Sequence, residues 1–108
     1  MNNALESLYH VVQERKTHPA EGSYTCYLFE QGIDKILKKC GEECAEVIIA
    51  AKNGKKEDTE NELCDLFYHL TVLMAEQEIP LGEVMDILEQ RSRKIGNLKT
   101  FRQTDRNT

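Results

Sequence analysis

Glu43-Cys44-Ala45-Glu46-Val47-Ile48-Ile49-Ala50-Ala51-Lys52-Asn53-Gly54-Lys55-Lys56-Glu57-Asp58-Thr59-Glu60-Asn61-Glu62-Leu63-Cys64-Asp65 decides the fold of this chain. Asn53-Gly54 is a helix stop, because both residues tolerate the left-handed conformation that ends helices. On either side of it lies an apolar stripe at helical spacing. Before the stop run Phe29, Ile33, Ile36, Leu37, Cys40, Cys44, Val47, Ile48 and Ala51; after it, from about Asp58-Thr59, run Leu63, Leu66, Phe67, Leu70, Leu73 and Met74. Two helices joined by a tight turn predict an antiparallel helical hairpin.

Each arm carries a pair of carboxylates spaced i, i+3, Glu43 with Glu46 and Glu62 with Asp65. At about 100° per residue, the second acid of each pair lies roughly 60° to one side of the first, and the apolar arc centres roughly 80–90° to the other. Both pairs therefore border their stripes on the same side. Their midpoints lie about ten residues before the turn and about nine after it, each roughly 14 Å away at 1.5 Å per residue. Packing the two apolar faces together brings the four acids to one level. Two like charges 4 Å apart cost about 4 kcal/mol at an effective dielectric of 20, a repulsion that a divalent cation relieves.

Oxygen ligands select hard ions, Mg²⁺ with Mn²⁺ as the alternative, and Mg²⁺ commonly completes its shell with water and substrate phosphate. A polyphosphate substrate is expected, with a carboxylate as general base. Glu42, next to the first pair, and Glu43 itself are the candidates. Lys35 and Lys39 project from the carboxylate face and Lys38 stands between them. The three suit phosphate contacts, although i, i+4 pairing with Glu42, Glu43 and Glu46 also accounts for them.

Other readings of the same residues are plain ones. Thr59-x-x-Glu62 matches a capping box, which would spend Glu62 on closing a helix start. His69, near the carboxylates, reads either as a ligand or orienting group or, more plainly, as a solvated or hydrogen-bonded border residue, and Cys40, Cys44 and Cys64 are small core residues. A di-iron bundle wants Glu-x-x-His on two helices, and this chain has none in register.

Outward from the hairpin, Leu5, Leu8, Tyr9 and Val12 mark a first helix ending at Thr17-His18-Pro19, and Leu81, Val84, Ile87 and Leu88 mark a last one after Ile79-Pro80. Gly32 and Gly41 interrupt the long second run, with a break expected near Gln31-Gly32. The expected architecture is all-α, a hairpin core with flanking short helices. Residues 1–97 read as one domain and 98–108 as a polar, basic tail. Apolar stripes left over on so few helices suit a homodimer or higher homo-oligomer resembling a four-helix bundle.

The 108 residues carry 14 Lys and Arg against 19 Asp and Glu, a formal net charge of −5. By segment the charge runs 0, −5, −5 and +5 over 1–41, 42–65, 66–90 and 91–108. That balance argues against nucleic-acid binding through bulk charge. The longest apolar run is Val47–Ala51, too short for a membrane span, and no charged-then-apolar leader follows Met1. A cytoplasmic protein with four reduced thiols is expected.

Ser23-Tyr24-Thr25, Leu28-Phe29, Gly32, Lys35-Ile36, Lys38-Lys39, Gly41-Glu42-Glu43, Glu46, Glu62, Asp65-Leu66 and Tyr68-His69 together resemble the phosphoribosyl-ATP pyrophosphohydrolase family. That family is a branch of the all-α nucleotide pyrophosphohydrolases. The resemblance covers roughly residues 3–95. It implies a Mg²⁺-dependent fold assembled at least as a dimer. It also implies cleavage of the α,β-phosphoanhydride of phosphoribosyl-ATP to phosphoribosyl-AMP and pyrophosphate, in the second step of histidine biosynthesis. It carries the metal set onto Glu43, Glu46, Glu62 and Asp65, and nucleotide contacts onto Lys35, Lys38 and Lys39. Two other functions share the pattern: a housecleaning (deoxy)nucleoside triphosphate pyrophosphatase, and a non-catalytic helical dimerisation module.

Overall fold

A computed structural model describes residues 3–94. The described residues are all-helical and contain no strand: α1 (Ala4–Thr17), α2 (Tyr24–Gln31), α3 (Ile33–Lys52), α4 (Lys56–Glu76) and α5 (Leu81–Ser92). None of the helices is long and apolar enough to cross a membrane. The expected basic tail lies outside the described residues.

Five helices stand where four runs were expected, because the long second run is divided at Gly32. This residue adopts φ +91° and ψ −174°, a conformation that is essentially glycine's alone. Its N–H still donates to the Leu28 carbonyl (3.0 Å) and its carbonyl accepts from Ile36 N–H (3.2 Å), so it ends α2 and opens α3 without stranding backbone groups. Helix α2 also starts earlier than the apolar run implies. The Ser23 hydroxyl accepts from Cys26 N–H at 3.2 Å and caps the helix.

The stop at Asn53-Gly54 is a Schellman closure. Gly54 has φ +70°, Lys55 N–H reaches the Ala50 carbonyl (3.3 Å) and Gly54 N–H the Ala51 carbonyl (3.0 Å). The same closure ends α4, with Ile79 N–H on Met74 (2.8 Å) and Glu78 N–H on Ala75 (3.2 Å). There the left-handed position is held by Glu78 at φ +56°, not by glycine. Helix α4 begins at Lys56, two residues before the expected restart, and the capping box is not used: Lys55 is the cap residue and Thr59 Oγ1 donates back to the Lys55 carbonyl (2.8 Å). Glu62 therefore sits in the second turn, released from the capping role.

Helices α3 and α4 pack against each other along their lengths, with α1 and α2 laid on them. The core joins Val12 of α1, Leu28 of α2, Ile36 and Cys40 of α3, and Val72 and Ala75 of α4. Leu8, Phe29, Tyr68, Leu70 and Leu73 pack around it. Helix α1 also secures the end of α4, since Lys16 Nζ donates to the Ala75 carbonyl (2.7 Å) and Tyr9 OH to the Ile79 carbonyl (2.8 Å).

This core occupies the start of α3 and the end of α4. Among the described residues, Leu37, Cys44, Ile48 and Ala51 of α3, and Leu63, Cys64 and Phe67 of α4, are exposed. Cys40 is buried as expected, and burial raises its thiol pKa. Cys44 and Cys64 are not core residues of the single chain, because α1 and α2 are too short to cover a helix of 20 residues. All four cysteines are free thiols.

Two substitutions of opposite sign test these backbone assignments. A Cβ at Gly32 would meet nothing within 4 Å, so Gly32→Ala suffers from conformation alone and should lose about 1–3 kcal/mol. Glu78→Gly, which relieves a left-handed residue at the cost of a freer unfolded chain, should gain about 0.5–1 kcal/mol. Urea unfolding at unchanged m-value measures both.

Candidate active site

The packing of α3 on α4 places Glu43 opposite Glu62 and Asp65. One carboxylate oxygen from each of the three lies within 4.8 Å of the others. Glu43 follows the core residue Cys40 by three positions and is only 7% exposed, Glu62 is half-buried and Asp65 is exposed. The cluster therefore opens outward from the edge of the core.

No donor compensates for that burial. Glu43 Oε2 and Glu62 Oε2 are both buried without a hydrogen-bond partner. A buried ionised carboxylate oxygen without a donor is expensive, and such groups respond by holding a proton or by taking a cation. Lost hydration, then the neighbouring Glu46 carboxyl, pushes the Glu43 pKa up. The Glu46 carboxyl and then lost hydration push Glu62 up to about 7. Glu46 itself is exposed and moves the other way, lowered by hydrogen bonds from Glu43 and Glu62. Three carboxylate oxygens at this spacing form a possible metal site.

The remaining residues singled out from sequence divide into those near the cluster and those turned elsewhere. Lys39 Nζ pairs with Glu42 Oε1 at 3.2 Å, and that contact is the main reason its pKa is raised. The Glu43 carboxylate acts on it in the same direction. Glu42 is exposed and stands outside the carboxylate triplet. Lys35 Nζ lies over the Tyr27 ring, 5.9 Å from its centroid, and Lys38 is exposed on the same helix.

His69 is buried, at 5% exposure, so it is not a solvated border residue. Its Nδ1 lies 2.8 Å from the Asp65 carbonyl one turn earlier, and its Nε2 lies 3.3 Å from Tyr24 OH. A carbonyl only accepts, so Nδ1 carries a hydrogen and donates it there. Tyr24 in turn stacks on Tyr68 with centroids 6.2 Å apart, and Tyr68 OH bonds to Thr25 Oγ1. Spacing on a helical wheel gave no role to Tyr24, Thr25 or Tyr68. The signal was Ser23-Tyr24-Thr25 itself, three hydroxyl residues opening a helix.

The raised carboxylates have a consequence for stability. Because folded Glu62 binds its proton more tightly than the unfolded chain, whose value is near 4.5, its contribution is complete below pH 4.5 and lost as pH rises through about 7. Glu43 acts in the same direction. In EDTA the thermal midpoint should fall between pH 5 and 8. Glu62→Gln should flatten that fall and leave the protein more stable than the parent at pH 8, measured by circular dichroism.

Comparison with known proteins identifies the chain's relatives. The family model described as phosphoribosyl-ATP pyrophosphohydrolase matches residues 5–92. A phosphoribosyl-ATP pyrophosphatase of Clostridium botulinum (strain Hall) is 53% identical over 103 residues, covering 95% of this chain and 94% of its own. Those of Clostridium acetobutylicum (54% over 101 residues; 94% and 92%) and Bacillus mycoides (49% over 105 residues; 97% and 98%) are similar to the same extent. With a match spanning all five helices and both arms of the carboxylate cluster, the chain belongs to the phosphoribosyl-ATP pyrophosphohydrolase family.

Proposed function

We propose that this protein hydrolyses the α,β-phosphoanhydride of 1-(5-phosphoribosyl)-ATP, releasing pyrophosphate and 1-(5-phosphoribosyl)-AMP in the second step of histidine biosynthesis, in the cytoplasm. The observation that carries the reading is the triplet of Glu43, Glu62 and Asp65, with two buried oxygens that lack any donor, inside a chain matched by the family over residues 5–92. The relatives named as phosphoribosyl-ATP pyrophosphatases favour this substrate over other nucleoside triphosphates.

Glu43, Glu62 and Asp65, with Glu46 beside them, would hold Mg²⁺, or Mn²⁺ in its place. The chemistry supplied by such a cation is neutralisation of phosphate charge and acidification of water. Phosphoanhydride cleavage asks for positioning and charge neutralisation more than covalent help. Lys35, Lys38 and Lys39, about one to two turns of α3 before Glu43, offset charge on the triphosphate and the departing pyrophosphate. Glu42 stands outside the triplet, free of ligation, and serves as general base; Glu43 is both ligand and neighbour to it.

A second copy of the chain covers the exposed face. Leu37, Gly41, Cys44 and Ile48 recur at intervals of four, three and four residues, the spacing of a helix seam, and Ile48 is 67% exposed. Leu63 and Phe67 extend the patch onto α4. Two such faces together form a four-helix bundle with the carboxylates at its border.

Pyrophosphate release from phosphoribosyl-ATP, assayed beside a panel of nucleoside triphosphates and with EDTA, tests the reading; activity is expected only with phosphoribosyl-ATP and only with metal. Glu42→Gln should lower kcat by about 10²–10⁴-fold with Mn²⁺ affinity retained, whereas Glu43→Gln should weaken Mn²⁺ binding and activity together. Ile48→Glu should convert the assembly to monomers in sedimentation velocity.

A further inference from the structure

Helix α2 carries two tyrosines that the chemistry above leaves unused. Tyr24 and Tyr27 are 46% and 40% exposed, and their rings stack with centroids 6.0 Å apart and planes 26° from parallel. Large aromatic rings held at a surface are costly unless something covers them in function. Neither ring is loose. Tyr24 is anchored through its hydroxyl to the buried His69 and through its face to Tyr68, while Tyr27 has the Lys35 ammonium over it.

Both tyrosines line a cleft of about 490 Å³, together with Glu21, Gly22, Ser23 and Glu30. That size falls within the range of about 300–1,000 Å³ typical of small-molecule sites. Its charge selects what part of a nucleotide enters. Two carboxylates, Glu21 and Glu30, repel phosphate, yet they accept hydrogen bonds from the exocyclic amine of a base. The phosphates belong on the opposite side of Tyr24. There the His69 ring connects Tyr24 to Asp65 through two hydrogen bonds, and Lys39 lies within the electrostatic reach of both Tyr24 and Glu43.

We propose that this cleft is the base-binding site of the enzyme: the purine of the nucleotide enters it against Tyr27, whose ring Tyr24 backs, and the triphosphate runs past Tyr24 toward the carboxylates. The inference rests on the nucleotide substrate proposed above and adds the residues that recognise its base. Tyr24 and Tyr27 are then specificity residues. Stacking of a base on an aromatic ring contributes equally to ground and transition states, so its loss raises KM and leaves kcat in place.

The test compares Tyr27→Ala, Tyr27→Leu and Tyr27→Phe with the parent. Alanine and leucine should raise KM for phosphoribosyl-ATP between about 5- and 150-fold, the range for removing one base–aromatic stack, with kcat within about twofold. Phenylalanine should restore the parental value. Inhibition by AMP should weaken in the same order, while inhibition by inorganic pyrophosphate, which has no base, should be unchanged. Unaltered KM and AMP inhibition in both the alanine and leucine variants would overturn the base site and leave the reaction assignment standing. A parent protein inactive on phosphoribosyl-ATP would overturn the reaction assignment; calorimetric titration of AMP with Mg²⁺ present then decides the cleft alone, with equal affinity for the parent and Tyr27→Ala, or no binding to either, counting against it.

Discussion

Two carboxylate oxygens buried between helices without a donor are the constraint around which the molecule is organised. Glu43 cannot move into water, because it stands three positions after Cys40 on a helix whose first half is fixed by Ile36 and Cys40 in the core. Glu62 cannot withdraw either, since α4 is held against α3 by the three-residue connection and at its far end by Lys16 and Tyr9 of α1. The strong packing at one end of the two long helices thus forces together acids that repel at the middle. A stable fold holds an unstable charge arrangement in readiness for a cation, the usual relation between a scaffold and the site it preorganises.

The apolar surface follows the same division. The chain is too short to wrap two helices of 20 and 21 residues with α1 and α2 alone. Burial is spent on the end that aligns the acids, and Ile48 and Phe67 further along are exposed among the described residues. Folding of the single chain and assembly of its proposed dimer thereby meet at the carboxylates. A change in either reaches the site through α3 and α4.

Much of this was legible in the residues, for reasons that can be named. The helical period and the Asn53-Gly54 stop located both long helices, and counting from that stop put Glu43 level with Glu62 and Asp65. Local signals were less faithful. Thr59-x-x-Glu62 has the letters of a capping box, but a helix already under way at Lys56 has no use for one there. Cys44 and Cys64 sit on apolar arcs that prove exposed, since periodicity reports which face is apolar and not whether this chain or another covers it. His69 fell on a border in the wheel and is buried in the fold, because α2 crosses α4 at that level and brings Tyr24 onto the imidazole. Contacts between helices distant in sequence leave no periodic trace.

Gly32 has a consequence beyond ending one helix. Its backbone geometry uncouples the direction of α2 from that of α3 while keeping both hydrogen-bonded across the junction. The eight residues that bear Tyr24 and Tyr27 are thus a separate module from the twenty that bear the lysines and Glu43. Base recognition by the short module, as proposed above, and the carboxylates of α3 and α4 therefore lie on opposite sides of a single glycine.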